Sequence, residues 1–137
     1  MKLSAIKVNT KAIEAGKWVD DIPEMGDLRL KVRGLGNSDF SRRYDELVQA
    51  IPRAERPNNR LTPDAQRKLT AQLYAETILL DWEGLSDDDG APIAFSAEFA
   101  EQILADPEMR DFVFAVRHAA QQVAGESADA AKADGGN

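Results

Sequence analysis

The chain has 137 residues, of which 43% are apolar, contains no cysteine and carries a formal net charge of −7. This length suits one hydrophobic core, and the lack of cysteine excludes disulfides, thiolate zinc sites and cysteine nucleophiles. No window approaches the roughly 20 consecutive apolar residues that a membrane span needs, so we expect a cytosolic protein that does not associate with a membrane.

The N-terminal part of the chain predicts a small β-element at about residues 16–33. Leu28, Leu30 and Val32 alternate with basic side chains, which is the period of a half-buried strand. From residue 37 the period becomes helical, and a first helix is expected at about 38–51. Thr62 as cap and Pro63 at the first helical position then begin a second helix, expected at about 62–82.

The acidic segment "GLSDDDGAPIAF" at about 84–95 predicts a β-turn or short hairpin, because Asp89-Gly90 is a favoured pair for a tight turn. Two further helices are expected at about 96–105 and 107–124. The last residues, 126–137, are small and polar, and we expect them to form a disordered tail behind a single domain at 1–125. The predicted fold class is therefore α+β and mostly helical, with a small N-terminal β-element followed by about four helices.

The acidic segment was tested first as a site of chemistry. Placing Gly90 at position 6 of an EF-hand loop leaves Leu85 at position 1 and Ser96 at position 12, so two required calcium ligands are missing. Weak cation binding by Asp87–Asp89 stays open. Asp81 and Glu83 were considered as the carboxylate pair of a glycosidase. Such a site needs a larger scaffold and several aromatic platforms, so this chain does not fit it.

Other catalytic templates are missing from the sequence. His118 is the single histidine, and one histidine without cysteine cannot complete a zinc site of the usual ligand count. No P-loop and no G-x-S-x-G motif occurs. We therefore expect no catalytic residue, no metal site and no cofactor, and a protein that is not an enzyme.

Charge is unevenly distributed along the chain. Residues 42–68 hold seven basic and four acidic side chains, whereas residues 81–137 hold three basic and thirteen acidic ones. The acidic half disfavours nucleic acid as the main ligand, since phosphates would be repelled over much of the surface. A small nucleic-acid-binding regulator remains an alternative, and it would use the arginines of the middle segment, Arg42, Arg43, Arg53, Arg56 and Arg60.

Three motifs carry a resemblance to a known family: "WEGL" at 82–85, "DGAPIAFS" at 89–96 and the helix break "ILADP" at 103–107. Over about residues 28–123 the chain resembles the tail assembly chaperones of long, non-contractile-tailed bacteriophages and prophages. The resemblance implies a non-enzymatic factor that binds the tape measure protein, keeps it soluble and recruits tail tube subunits. It also implies a location in the host bacterial cytoplasm and absence from the mature virion.

A chaperone of this kind needs apolar grooves between helices. The candidate partner-binding positions are the large apolar side chains of the predicted helices, which could equally all be buried in the core: Tyr74, Ile78, Trp82, Phe99, Phe112 and Val116. Self-association is possible, and a structural tail or connector component of the virion is the main alternative function.

Overall fold

The computed structural model describes residues 1–126, and its fold is α+β and mostly helical, which confirms the predicted class. The helices of this part are α1 (Leu3–Ile6), α2 (Thr10–Ala15), α3 (Ser38–Ala50), α4 (Pro63–Thr77), α5 (Ala97–Ala105) and α6 (Arg110–Gly125). The strands are β1 (Lys17–Val19), β2 (Arg29–Val32) and β3 (Leu79–Glu83). Short 3-10 turns cover Arg53–Glu55, Pro57–Asn59 and Pro107–Met109.

The three strands form one antiparallel sheet in the order β1-β2-β3. Leu30 at its centre pairs with Val19 on one side and Trp82 on the other, and all three side chains are buried. This face of the sheet packs into the core, where β2 contacts α6. The predicted β-element at 16–33 corresponds to the hairpin of β1 and β2.

The expected helix at 62–82 is wrong over its last five residues, because α4 ends at Thr77 and residues 79–83 form β3. Ile78 leaves the helix with φ −122° and ψ −64°, and its carbonyl accepts a hydrogen bond from Arg33 N at 2.9 Å. The short apolar run that follows is compatible with either a helix or a strand by its periodicity alone. Pairing with β2, about fifty residues earlier in the chain, decides for the strand.

Polar caps fix where the helices begin. Thr62 Oγ1 accepts from Ala65 N at 3.2 Å, Ser96 Oγ accepts from Phe99 N at 3.1 Å and Asp106 Oδ1 accepts from Glu108 N at 2.9 Å. The helices predicted at 38–51 and 96–105 are observed at Ser38–Ala50 and Ala97–Ala105, within one residue of their predicted bounds. The helix expected at 107–124 begins as the 3-10 turn Pro107–Met109 and continues as α6.

The sequence analysis missed the two N-terminal helices. α2 carried the usual signals, since Asn9 Oδ1 accepts from Ala12 N at 3.2 Å and Gly16 ends the helix with a φ of 94°. α1 is one turn long and has no buried residue, so no apolar periodicity could predict it.

The acidic segment forms the predicted turn. Ser86 and Pro92 make an isolated antiparallel bridge, Ile93 N donates to Leu85 O at 2.8 Å, and Gly90 adopts a φ of 86°. Of the expected disordered tail, Glu126 is described and pairs with Lys17 at 2.7 Å, while residues 127–137 lie outside the described part. Among residues 1–126, no helix has the length and apolar character to cross a membrane.

Candidate partner-binding groove

The six apolar side chains expected to bind a partner lie mostly in the core. Five of them are buried, namely Tyr74, Ile78, Trp82, Phe112 and Val116. The sixth, Phe99, is half-buried. A partner could touch these five only by opening the core. Their role in this structure is to hold the helices and the sheet together beneath the surface.

Trp82 is the centre of an aromatic cluster. Its ring packs edge-on against Phe95, Phe99 and Phe112, with centroid distances of 4.9, 6.2 and 6.1 Å. Its Nε1 donates to Ile93 O at 2.8 Å. These contacts attach the acidic turn and α5 to the sheet and to α6.

The carboxylates of the acidic turn are used locally. Asp87 Oδ1 accepts from Asp89 N at 3.0 Å and from Ala91 N at 2.9 Å, so this side chain closes its own turn. Within the described residues, no three histidine, cysteine or carboxylate side chains come together in a way that could hold a metal ion.

The arginines of α3 are occupied by carboxylates. Arg42 bonds to Asp39 at 3.0 Å and to Glu46 at 2.9 Å, while Arg43 bonds to Glu46 and Glu76. The bond from Arg43 lowers the pKa of Glu76 below its ordinary value, and burial opposes this shift only partly. Arg43 thus ties α3 to α4, whereas Arg42 pairs only within α3, and both guanidinium groups already have carboxylate partners.

A groove between α4 and α6 combines an apolar floor with a basic rim. It is a cavity of about 280 Å³, lined by Pro63, Arg67, Thr70, Leu104, Asp106, Pro107, Arg110, Val113 and Arg117. Leu104 is only 1% exposed and closes the floor from beneath, so the accessible apolar surface comes from half-buried Val113 and from exposed Pro63 and Pro107. We call it the α4–α6 groove. Its volume is at the low end for small-molecule pockets, roughly 300–1,000 Å³, and suits a few side chains of a larger partner.

Contacts with the body of the protein position two of the three groove arginines. Arg67 Nε donates to Ala105 O at 2.8 Å, and Arg67 Nη1 lies 3.0 Å from Asp64. Arg117 Nε donates to the Tyr74 hydroxyl at 2.8 Å, and its guanidinium stacks 5.8 Å from the Tyr74 ring centroid. Tyr74, one of the six candidate binding residues, is buried, and its hydroxyl holds Arg117 at the rim of the groove.

Arg110, the third arginine, is exposed and makes no side-chain hydrogen bond or ion pair with any residue of the described chain. It begins α6, and Val113 and Arg117 follow on the same side at helical spacing. Sequence reasoning missed this site, although the signal existed. Arg110 and Arg117 are two of only three basic side chains among residues 81–137, and they lie seven positions apart on one helix.

An exposed aromatic side chain extends the surface beside the groove. Phe114 is 50% exposed, and the Arg117 guanidinium also lies 5.6 Å from its ring centroid. A second cavity of about 230 Å³ lies on the far side of Phe114, lined in part by Pro23, Met25 and His118. His118 therefore lies at the surface.

Comparison with known proteins identifies a family that this chain matches. Residues 35–137 match the model of a family described as YdaY prophage protein, and this range begins just before α3 and includes every residue that lines the groove. No curated protein sequence and no solved structure matches the chain.

Proposed function

Because the chain belongs to the YdaY prophage protein family, we propose that it is a tail assembly chaperone of a long-tailed phage. In this role it binds the tape measure protein, keeps it soluble and recruits tail tube subunits, without any enzymatic step. The family supports a prophage origin, and the motifs at 82–85, 89–96 and 103–107 support the more specific role. The protein would act in the host cytoplasm and be absent from the finished virion.

The observation that carries the proposal is the α4–α6 groove together with exposed Phe114. A chaperone for an elongated helical client needs accessible apolar surface that stays soluble between binding events. Here Val113, Pro63 and Pro107 supply accessible apolar surface, and three arginines keep its rim hydrated. Phe114 adds an aromatic side chain of the kind enriched at protein interfaces.

Co-expression with the tape measure protein of the same prophage tests the role. We expect the tape measure protein to stay in the soluble fraction and to co-purify with this chain, and to precipitate when expressed alone or with an unrelated acidic protein. A tape measure protein that precipitates equally with and without this chain would contradict the proposal.

Purified phage particles separate the chaperone from the main alternative. Mass spectrometry of the particles should find no copies of this chain beyond the level of host contaminants. Stoichiometric copies in the particle would make it a structural tail or connector component instead.

A further inference from the structure

We propose that the α4–α6 groove binds an acidic amphipathic helix, and this inference rests on the proposed function because the helix would belong to the client. Apolar side chains of the bound helix would lie on Val113, Pro63 and Pro107. Its carboxylates would pair with Arg67, Arg110 and Arg117 at the rim.

The groove has the form of a helix-binding site. Its two walls are helices, α4 and α6, and its floor is the end of α5 together with Val113 of α6. A groove of this kind accepts the apolar face of a third helix, whose side chains recur at every third or fourth position. The small volume of about 280 Å³ fits one or two anchoring side chains of such a helix.

The rim offers hydrogen-bond donors that the protein leaves unused. Arg110 has no side-chain partner within residues 1–126, Arg117 uses only its Nε for a hydrogen bond, and Arg67 uses Nε and Nη1. Guanidinium groups with free terminal nitrogens pair with carboxylates in two parallel hydrogen bonds. Carboxylates that protrude from the edges of the bound helix would satisfy them.

Arg110 lies among carboxylates but pairs with none of them. Asp106, Glu108 and Asp111 are its neighbours in the chain, and Asp106 already accepts a backbone hydrogen bond at the start of this helical segment. The Arg110 guanidinium is exposed and has no side-chain partner within residues 1–126, so its terminal nitrogens are available to the carboxylates of a partner.

The charges around the groove favour a helix with a few carboxylates over a nucleic acid. Asp64, Asp106, Glu108 and Asp111 lie on or next to the segments that form its rim, and the whole chain carries −7. A continuous polyphosphate would meet these carboxylates after the first one or two contacts. A helix can place its acidic side chains only where the arginines are.

Two labelled probe peptides test the inference by fluorescence anisotropy with the full chain. Both are 18 residues long with leucines at helical spacing, and one carries glutamates beside the leucines where the other carries lysines. We expect the acidic peptide to bind with an affinity that falls as salt is added, and the lysine peptide not to bind.

The variants Arg110→Glu and Lys11→Glu make the same change in net charge at different places. Arg110→Glu should weaken binding of the acidic peptide by about tenfold or more, because the reversal replaces an attractive contact at the rim by a repulsive one, and should strengthen binding of the lysine peptide. Lys11→Glu, on the exposed side of α2, should leave the acidic peptide unchanged. Thermal melts of both variants verify that each is folded.

Each contrary outcome overturns the inference. No binding of the acidic peptide would do so, and so would equal losses in both variants, which would show only a long-range charge effect. Tighter binding of a single-stranded oligonucleotide than of the acidic peptide would assign the groove to nucleic acid. A soluble tape measure complex combined with any of these results would leave the chaperone role standing with a different binding surface.

Discussion

Replacement of Trp82 by alanine should lower the free energy of unfolding by about 3–5 kcal/mol, the usual cost of removing a buried tryptophan side chain. Trp82 is only 4% exposed. Its ring contacts three aromatic side chains that belong to the acidic segment, α5 and α6, namely Phe95, Phe99 and Phe112. Each such edge-on pair contributes about 0.5–1.5 kcal/mol beyond the area it buries. The substitution would therefore loosen the acidic turn, α5 and α6 at once.

Trp82→Phe separates the ring from its hydrogen bond. The smaller side chain keeps most of the aromatic contact but leaves Ile93 O without the Nε1 donor. We expect a loss of about 1–3 kcal/mol, the cost of an unsatisfied buried acceptor together with a small change in packing. This variant should fall between the wild type and Trp82→Ala.

Urea denaturation followed by circular dichroism measures these losses, and Trp18→Ala is the matched control. Trp18 lies on β1, the strand on the other side of β2, and is only half-buried, and the Arg29 guanidinium lies 5.0 Å from its ring centroid. Losing this contact should cost about 1 kcal/mol. Equal losses at the two tryptophans, or a loss below about 1 kcal/mol for Trp82→Ala, would refute the assignment of Trp82 as the centre of the core.

Two further predictions concern the charged surface. Asp87→Ala should cost about 1 kcal/mol in urea denaturation, because its side chain accepts two backbone hydrogen bonds, whereas Asp88→Ala should stay within about 0.5 kcal/mol of the wild type; equal effects would contradict the turn geometry. The lowered pKa of Glu76 means that its bond to Arg43 stabilises the fold above the ordinary pKa of 4.5 and is lost as the pH falls through the lower folded value. Arg43→Gln should therefore flatten the decline of the urea midpoint below about pH 4.5, and an unchanged decline would contradict this.

Local patterns predicted most of the helices because each begins with its own cap. Thr62 and Ser96 stand at the positions where the structure finds them accepting the first backbone amides of α4 and α5. These interactions join residues three positions apart, so a single sequence contains both partners. The same is true of the acidic turn, where Asp87 and Gly90 fix the geometry within five residues.

The end of α4 was not predictable in this way, because distant residues determine it. Asn37 caps the start of α3, where its Oδ1 accepts from Asp39 N at 3.1 Å. Its Nδ2 also donates to Thr77 O at 2.9 Å, forty positions later, and so satisfies a carbonyl at the last turn of α4. One buried side chain thus fixes the start of α3 and the end of α4. Only the start of α3 could be predicted from the local sequence pattern, because Thr77 lies forty positions away.

The groove shows why a binding surface is harder to predict than a core. Large apolar residues are usually buried, and the candidate binding residues Tyr74 and Trp82 do lie inside the fold. The surface above them is made by smaller or charged side chains whose meaning depends on tertiary position. Arg67 belongs to the basic middle of the chain and Arg110 to its acidic end, and only the packing of α4 and α6 through α5 brings them to one rim. In sequence terms, the informative residues were the two arginines that an acidic segment retained on one side of a helix.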